Sequence, residues 1–143
     1  MSNSDLKDKI VNIISNHKTG ILASVENNKP HLRYMTFYHE ALTLYTPTER
    51  ESEKIEEIEN NPYVSVLLGY EDKGHSDAYV EILGTSSIND TQALKDQFWE
   101  ESFSKWFDGP NDPNYVFLEI KPQTVRVLNL NGEPPQELSL ENN

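Results

Sequence analysis

About six stretches of this chain read as β-strands, and no helices separate them in the strand–helix–strand order that a parallel sheet requires. Residues 63–70 (YVSVLLGY) and 78–88 (AYVEILGTSSI) are the plainest, being dense in β-branched and aromatic side chains. Residues 18–26 read as a strand that turns at Asn27-Asn28 into a second strand over 30–39, because asparagine tolerates the backbone of a tight hairpin. A third strand over 42–46 is stopped by Pro47, and strands over 115–120 and 124–130 close the sheet. This order predicts a mainly β (α+β) architecture, a largely antiparallel barrel with flanking helices.

The helices are few. Ser4 is placed to cap one carrying Leu6, Ile10, Ile13 and Ile14 at helical spacing. Residues 51–60 form a short helix with Ile55 and Ile58 inward and Pro62 beyond its end. Asp90 is placed to cap a helix carrying Leu94, Phe98, Phe103 and Trp106. Residues 71–77 form a polar turn containing Gly74, and residues 109–113 form another. The 143 residues suit a single domain, with a fraying acidic tail expected over about 132–143.

Charge excludes two partners. With 12 basic and 24 acidic residues, the net charge of −12 repels a nucleic-acid backbone or an anionic membrane. There is no cysteine, hence no disulfide, thiolate metal site or cysteine nucleophile. No apolar run approaches the roughly 20 residues that cross a bilayer, and the N-terminus lacks the pattern of a secretory signal. A cytoplasmic location is expected.

Against that acidic field, residues 31–62 form a local exception. Arg33 offers a planar fork and Lys54 a point charge. Thr46 and Ser52 offer hydroxyls, and the first amides of the helix near Glu51 favour an anion. Tyr34 and Tyr45 offer flat surfaces to an aromatic ligand. Together they point to a bound, phosphate-bearing small molecule. Each residue also has an ordinary reading: Arg33 pairs with a surface carboxylate, and Lys54 has Glu51 and Glu57 one turn away. Arg50, one turn before Lys54, is a third cation or plain surface charge. Other chemistry has less support. His17, His31, His39 and His75 are scattered, so no metal is expected, and Ser24, Ser65 and Ser86 lack a nucleophile-elbow setting. Glu56, Glu57 and Glu59 read as the wet face of a helix.

Arg33-Tyr34-Met35-Thr36, Leu44-Tyr45-Thr46, Ser52-Glu53-Lys54 and Ile58-Glu59-Asn60-Asn61-Pro62, in that order, resemble the pyridoxamine 5′-phosphate oxidase-like FMN-binding split barrels. Asp77-Ala78-Tyr79-Val80-Glu81 and Lys105-Trp106-Phe107-Asp108-Gly109-Pro110 are similar to the general stress protein branch of that superfamily. The likeness runs from about Leu6 to Leu130. It implies a six-stranded antiparallel split β-barrel that forms a homodimer and holds FMN, or the larger FAD, in a groove shared by both subunits. Carried over residue by residue, Arg33 and Lys54 would hold the phosphate with donors from Thr46 and Ser52. Met35 and Thr36 would lie along the isoalloxazine, Tyr45 would border the site, and Trp106 would reach the partner's flavin.

Two departures matter. Glu53 stands where many relatives carry a second base, which weakens the site if it points inward. Arg126-Val127-Leu128 lacks the histidine of the true oxidase's substrate motif, so pyridoxamine phosphate oxidation is not expected. The resemblance implies a flavin-dependent oxidoreductase on a small molecule, with no catalytic side chain identified. A flavin carrier or sensor without turnover is the alternative, and a structural stress protein without ligand is the third reading.

Overall fold

Every strand pairing in the structure is antiparallel, as expected from a chain without strand–helix–strand alternation. The structure, a computed structural model, describes residues 2–73 and 77–140. The expected turn at Gly74, together with His75, lies outside the described residues. In chain order the elements are α1 (Asn3–Ser15), β1 (Thr19–Glu26), β2 (Lys29–Thr36), β3 (Tyr38–Glu40), β4 (Thr43–Glu49) and α2 (Glu53–Asn60). There follow β5 (Tyr63–Leu68), β6 (Tyr79–Asn89), α3 (Gln92–Phe98), β7 (Tyr115–Leu128) and β8 (Gln136–Leu138). The sheet order is β2-β1-β5-β6-β7-β4-β3, with β8 paired to β7. This is the split half-barrel with three α-helices, built from eight strands rather than six.

The extra strands have local causes. The stretch expected as one strand over 30–39 breaks at Phe37, whose N–H donates to the Lys18 carbonyl at 2.6 Å while its ring is buried. The chain thereby leaves one edge of the sheet as β2 and enters the opposite edge as β3. β4 continues through Pro47 to Glu49 instead of stopping at 46. β3 pairs with β4 only from Glu40↔Thr43 to Tyr38↔Tyr45, so one edge of β4 is already unpaired at Pro47 and a missing N–H is tolerated there. The Asn27-Asn28 turn forms as expected, both residues taking positive φ between Glu26 and Lys29.

β7 corrects a second expectation, because residues 115–120 and 124–128 belong to one strand, which ends at Leu128 and leaves residues 129–130 beyond it. Its register against β6 passes from Leu83↔Thr124 to Gly84↔Pro122, leaving Gln123 as a one-residue bulge. The bulge reverses the alternation. Val116, Leu118 and Ile120 point into the main core before it, and Val125 and Val127 point into the same core after it. The other face before the bulge carries Tyr115 and Phe117 into a second, aromatic core with Tyr38, Tyr45, Phe103 and Phe107.

The ends differ from expectation too. The first helix is capped by Ser2, whose Oγ accepts from the Asp5 N–H, while Ser4 lies inside it. α3 begins after Thr91 and ends at Phe98, and Phe103 belongs to a separate 3-10 turn over Glu101–Lys105, with Trp106 just after it. Asp90 pairs with Arg50 instead of capping. Residues 136–138, expected to fray, form β8 and bury Leu138, and Asn3 exchanges two hydrogen bonds with the Ser139 backbone. No helix among the described residues is long and apolar enough to cross a membrane.

A Cβ added at Gly84 would lie 2.3 Å from the Lys121 carbonyl oxygen across the bulge. Gly84→Ala is therefore expected to lower stability by about 1–3 kcal/mol, read as a lower urea midpoint at unchanged slope.

Candidate functional site

The barrel is open between β2 and β4, and the cation cluster expected from the sequence faces that opening. Alternation along β2 puts His31, Arg33 and Met35 half-buried on the inner face and leaves Leu32 and Tyr34 exposed on the outer one. From the other side, β4 presents Thr48, and α2 presents Ser52, Lys54 and Glu57. Two adjoining cavities result. A polar one of about 580 Å³ is lined by His31, Leu32, Arg33, Ser52, Glu53, Lys54 and Glu57. A more apolar groove of about 400 Å³ is bordered by Thr19, Tyr34, Met35, Thr36, Pro47, Thr48, Glu49, Lys54, Phe103, Trp106 and Phe107. Lys54 belongs to both.

Arg33 is held from within. Its Nη2 donates to Glu57 Oε2 at 3.0 Å and its Nη1 donates to Ser24 Oγ at 2.7 Å, while Ser24 donates to the same Oε2 at 2.9 Å. The partner expected for Arg33 was a surface carboxylate; the observed one is only 7% exposed. Burial alone would raise the Glu57 carboxyl, but the hydrogen bond from Ser24 and the nearby Arg33 and His31 outweigh it and hold the group below its ordinary range. Each Nη of a guanidinium carries two hydrogens, so a fork anchored on its inner side retains donors for an anion.

Lys54 does not pair with Glu51 or Glu57. Its Nζ donates to Thr48 Oγ1 at 2.8 Å, and Thr48 lies 3.4 Å from Ser52 Oγ. Burial pushes the ammonium below its ordinary 10.5, and the neighbouring Arg33 charge pushes it the same way. Two cations that repel each other beside one cavity form a site that an anion relieves. Ser52 occupies the N-cap position of α2 with its hydroxyl uncommitted to the helix, which leaves it beside the cavity. Glu53 is exposed at the cavity's rim.

Not every candidate residue reaches the opening. Thr46 is fully buried, its Oγ1 without a hydrogen-bond partner, on the core face of β4 beneath the site. Thr48, two residues on and on the same face, reaches the opening beside Lys54 instead; reading Pro47 as a strand end hid that position. Tyr45 points to the opposite face, packing at 5.7 Å from Phe98 and 6.4 Å from Phe117 in the aromatic core. Trp106 is 62% exposed and borders the groove. Glu57 and Ser24 were missed as site residues, since only the packing of α2 onto β1 brings them to Arg33.

A pyridoxamine 5′-phosphate oxidase family profile matches residues 6–129 of this chain. General stress protein 26 of Bacillus subtilis is 49% identical over 140 residues, spanning 98% of this chain and 100% of that one. The crystal structure of General Stress Protein 26 from Bacillus anthracis superposes with a TM-score of 0.84 at 43% identity, covering 94% of this chain and 98% of the other. A pyridoxamine 5′-phosphate oxidase-related, FMN binding protein from Nostoc punctiforme shares the fold at a TM-score of 0.66 and 16% identity, covering 94% and 86% of the two chains.

Glu57→Leu should leave Arg33 desolvated and unpaired, costing about 3–5 kcal/mol, whereas Glu57→Gln keeps acceptors for Ser24 and Arg33 and should cost less. Chemical denaturation of the two variants against the parent checks that order.

Proposed function

The chain belongs to the pyridoxamine 5′-phosphate oxidase family, and from that premise we propose that it is a flavin-binding protein that uses FMN as an oxidoreductase on a small molecule. The observation that carries this reading is the junction of the two cavities at Lys54. A polar cavity with Arg33, Ser52 and Lys54 suits a phosphate, and the adjoining groove with Met35, Thr36, Phe107 and Trp106 suits a flat ring system. A bound flavin supplies hydride or electron transfer; the protein supplies binding, orientation and electrostatics.

The chain's own residues do the following. Arg33 and Lys54 would neutralise the phosphate, with Ser52 and Thr48 as hydroxyl donors. Glu53, exposed at the rim, costs the site less than an inward carboxylate would. Arg126, the remnant of the oxidase substrate motif, is already paired with Glu81 at 2.7 Å, which supports a substrate other than pyridoxamine phosphate. The outer sheet face supports a homodimer: Leu32, Tyr34, Tyr63 and Leu83 are exposed there on β2, β5 and β6. A second subunit on that face would bring its own residues close to the groove.

The test is an absorption spectrum of the purified chain, titrated with FMN and with riboflavin, with the elution volume recorded. A yellow, dimer-sized species is expected. Lys54→Met, which leaves the Arg33–Glu57 pair intact, should weaken FMN about tenfold, and Arg33→Ala with Lys54→Ala about 100-fold, since a charged hydrogen bond contributes on the order of 1.5–3 kcal/mol. Riboflavin, lacking the phosphate, should be nearly indifferent. A chain that ignores every flavin would overturn the reading. Bleaching of the bound flavin by added NAD(P)H separates the oxidoreductase from a flavin carrier or sensor.

A further inference from the structure

Ser24 is a hydroxyl on the core face of β1. Alternation sends Gly20, Leu22 and Ser24 inward, and Ser24 is only 1% exposed. It stands opposite His31, and Leu22 stands opposite Arg33, so Ser24 and Arg33 are diagonal neighbours across the β1–β2 ladder. Ser24 does not line the polar cavity, whereas Arg33, Ser52, Lys54 and Glu57 do. A ligand in that cavity meets Arg33 and not the residue behind it.

The directions of its hydrogen bonds are forced. A guanidinium only donates and a carboxylate only accepts, so Ser24 accepts from Arg33 Nη1 at 2.7 Å and gives its one hydrogen to Glu57 Oε2 at 2.9 Å. Arg33 Nη2 donates to that same oxygen at 3.0 Å. The three groups close a ring in which each Nη is held by a separate acceptor. Nε has no acceptor among the described residues, so Nε–H and the second hydrogen of each Nη are left to the cavity that Arg33 lines. Without the hydroxyl, Nη1 loses its acceptor while Glu57 still faces the same guanidinium. A guanidinium free to close on that carboxylate turns its donors from the cavity. An apolar side chain would fill the same place on the core face; what the hydroxyl adds is this restraint, and it adds no charge.

We propose that Ser24 is a positioning residue of the phosphate site: without touching the ligand, it sets the preference for a phosphorylated over an unphosphorylated flavin by fixing the Arg33 guanidinium. The inference rests on the flavin reading above and adds to it a residue outside the cavity. Because Ser24 carries no charge, its loss changes the geometry of the site and leaves the balance of charges as it was. Because it acts through Arg33, its effect exists only where Arg33 is present. Lys54 is held separately, on Thr48, and is indifferent to the change.

The experiment is a fluorescence-quenching titration with FMN and with riboflavin at one pH, on the parent chain, Ser24→Ala and Ser24→Cys, and on Ser24→Ala combined with Arg33→Ala or with Lys54→Met, beside each of those single variants. Ser24→Ala should lower the ratio of FMN to riboflavin affinity about tenfold. Ser24→Cys, which fills nearly the same space with a weak donor and acceptor, should fall between the two. In the Arg33→Ala background Ser24→Ala should cost nothing more, whereas with Lys54→Met the two losses should multiply. A hydroxyl that served the fold alone would weaken both flavins together and in every background. An FMN-to-riboflavin ratio equal in the parent, Ser24→Ala and Ser24→Cys overturns the inference and leaves the flavin site intact, as does an equal loss with and without Arg33. A parent chain that takes up no flavin overturns the flavin reading and this inference with it.

Discussion

The strand β7 must be buried on both faces, and the rest of the molecule is arranged around that constraint. Tyr115, Val116, Phe117 and Leu118 are successive residues with no exposed surface. A strand in that condition needs a neighbour on each edge and a layer on each side, or its backbone groups and side chains go unsatisfied. β6 and β4 take the edges; the main core fills one face and the aromatic core the other. The bulge at Gln123 then keeps the second half of the strand in the main core by shifting its alternation by one residue.

The opening between β2 and β4 is the other side of this arrangement. One continuous stretch of chain serves as both terminal strands, β2 on one edge and β3 on the other, so the sheet curls without closing by hydrogen bonds between β2 and β4. Polar side chains collect where the ladder is absent, because that gap is open to solvent while the two cores are not. Glu57 is central there. It is a buried carboxylate paired with Arg33, and its hydrogen bonds with Ser24, His31 and Arg33 tie α2 to β1 and β2. The tie holds a cation at a cavity in a chain whose net charge is −12.

Much of the fold was legible in the sequence, for reasons that can be stated residue by residue. The Asn27-Asn28 turn, the apolar spacing of Leu6, Ile10, Ile13 and Ile14, and the β-branched runs of β5 and β6 express local preferences that the tertiary structure leaves in place. The failures fall at prolines and chain ends. Pro47 read as a strand end and residues 121–123 as a gap between two strands, yet Pro47 lies beside an unpaired edge and Pro122 beside a bulge, and neither circumstance is encoded in the adjacent residues. The tail read as polar and loose, but Leu138 finds a core pocket along β7 that no local pattern announces.

For the site, the sequence by itself determined the kind of side chain gathered there, cations and hydroxyls in an acidic chain, because side-chain charge is a property of residue identity. Alternation along β2 likewise set Arg33 and Met35 on one face and Tyr34 on the other. Only the tertiary structure decided which residues share the cavity. It turned Tyr45 into the aromatic core, replaced Thr46 by Thr48, and brought Glu57, Ser24 and His31 around Arg33. Those choices depend on how α2 packs across β1 and β2, contacts between residues as many as 33 positions apart, as for Ser24 and Glu57. Such long-range packing follows from how the whole chain fills its two cores, and no short stretch of sequence carries it.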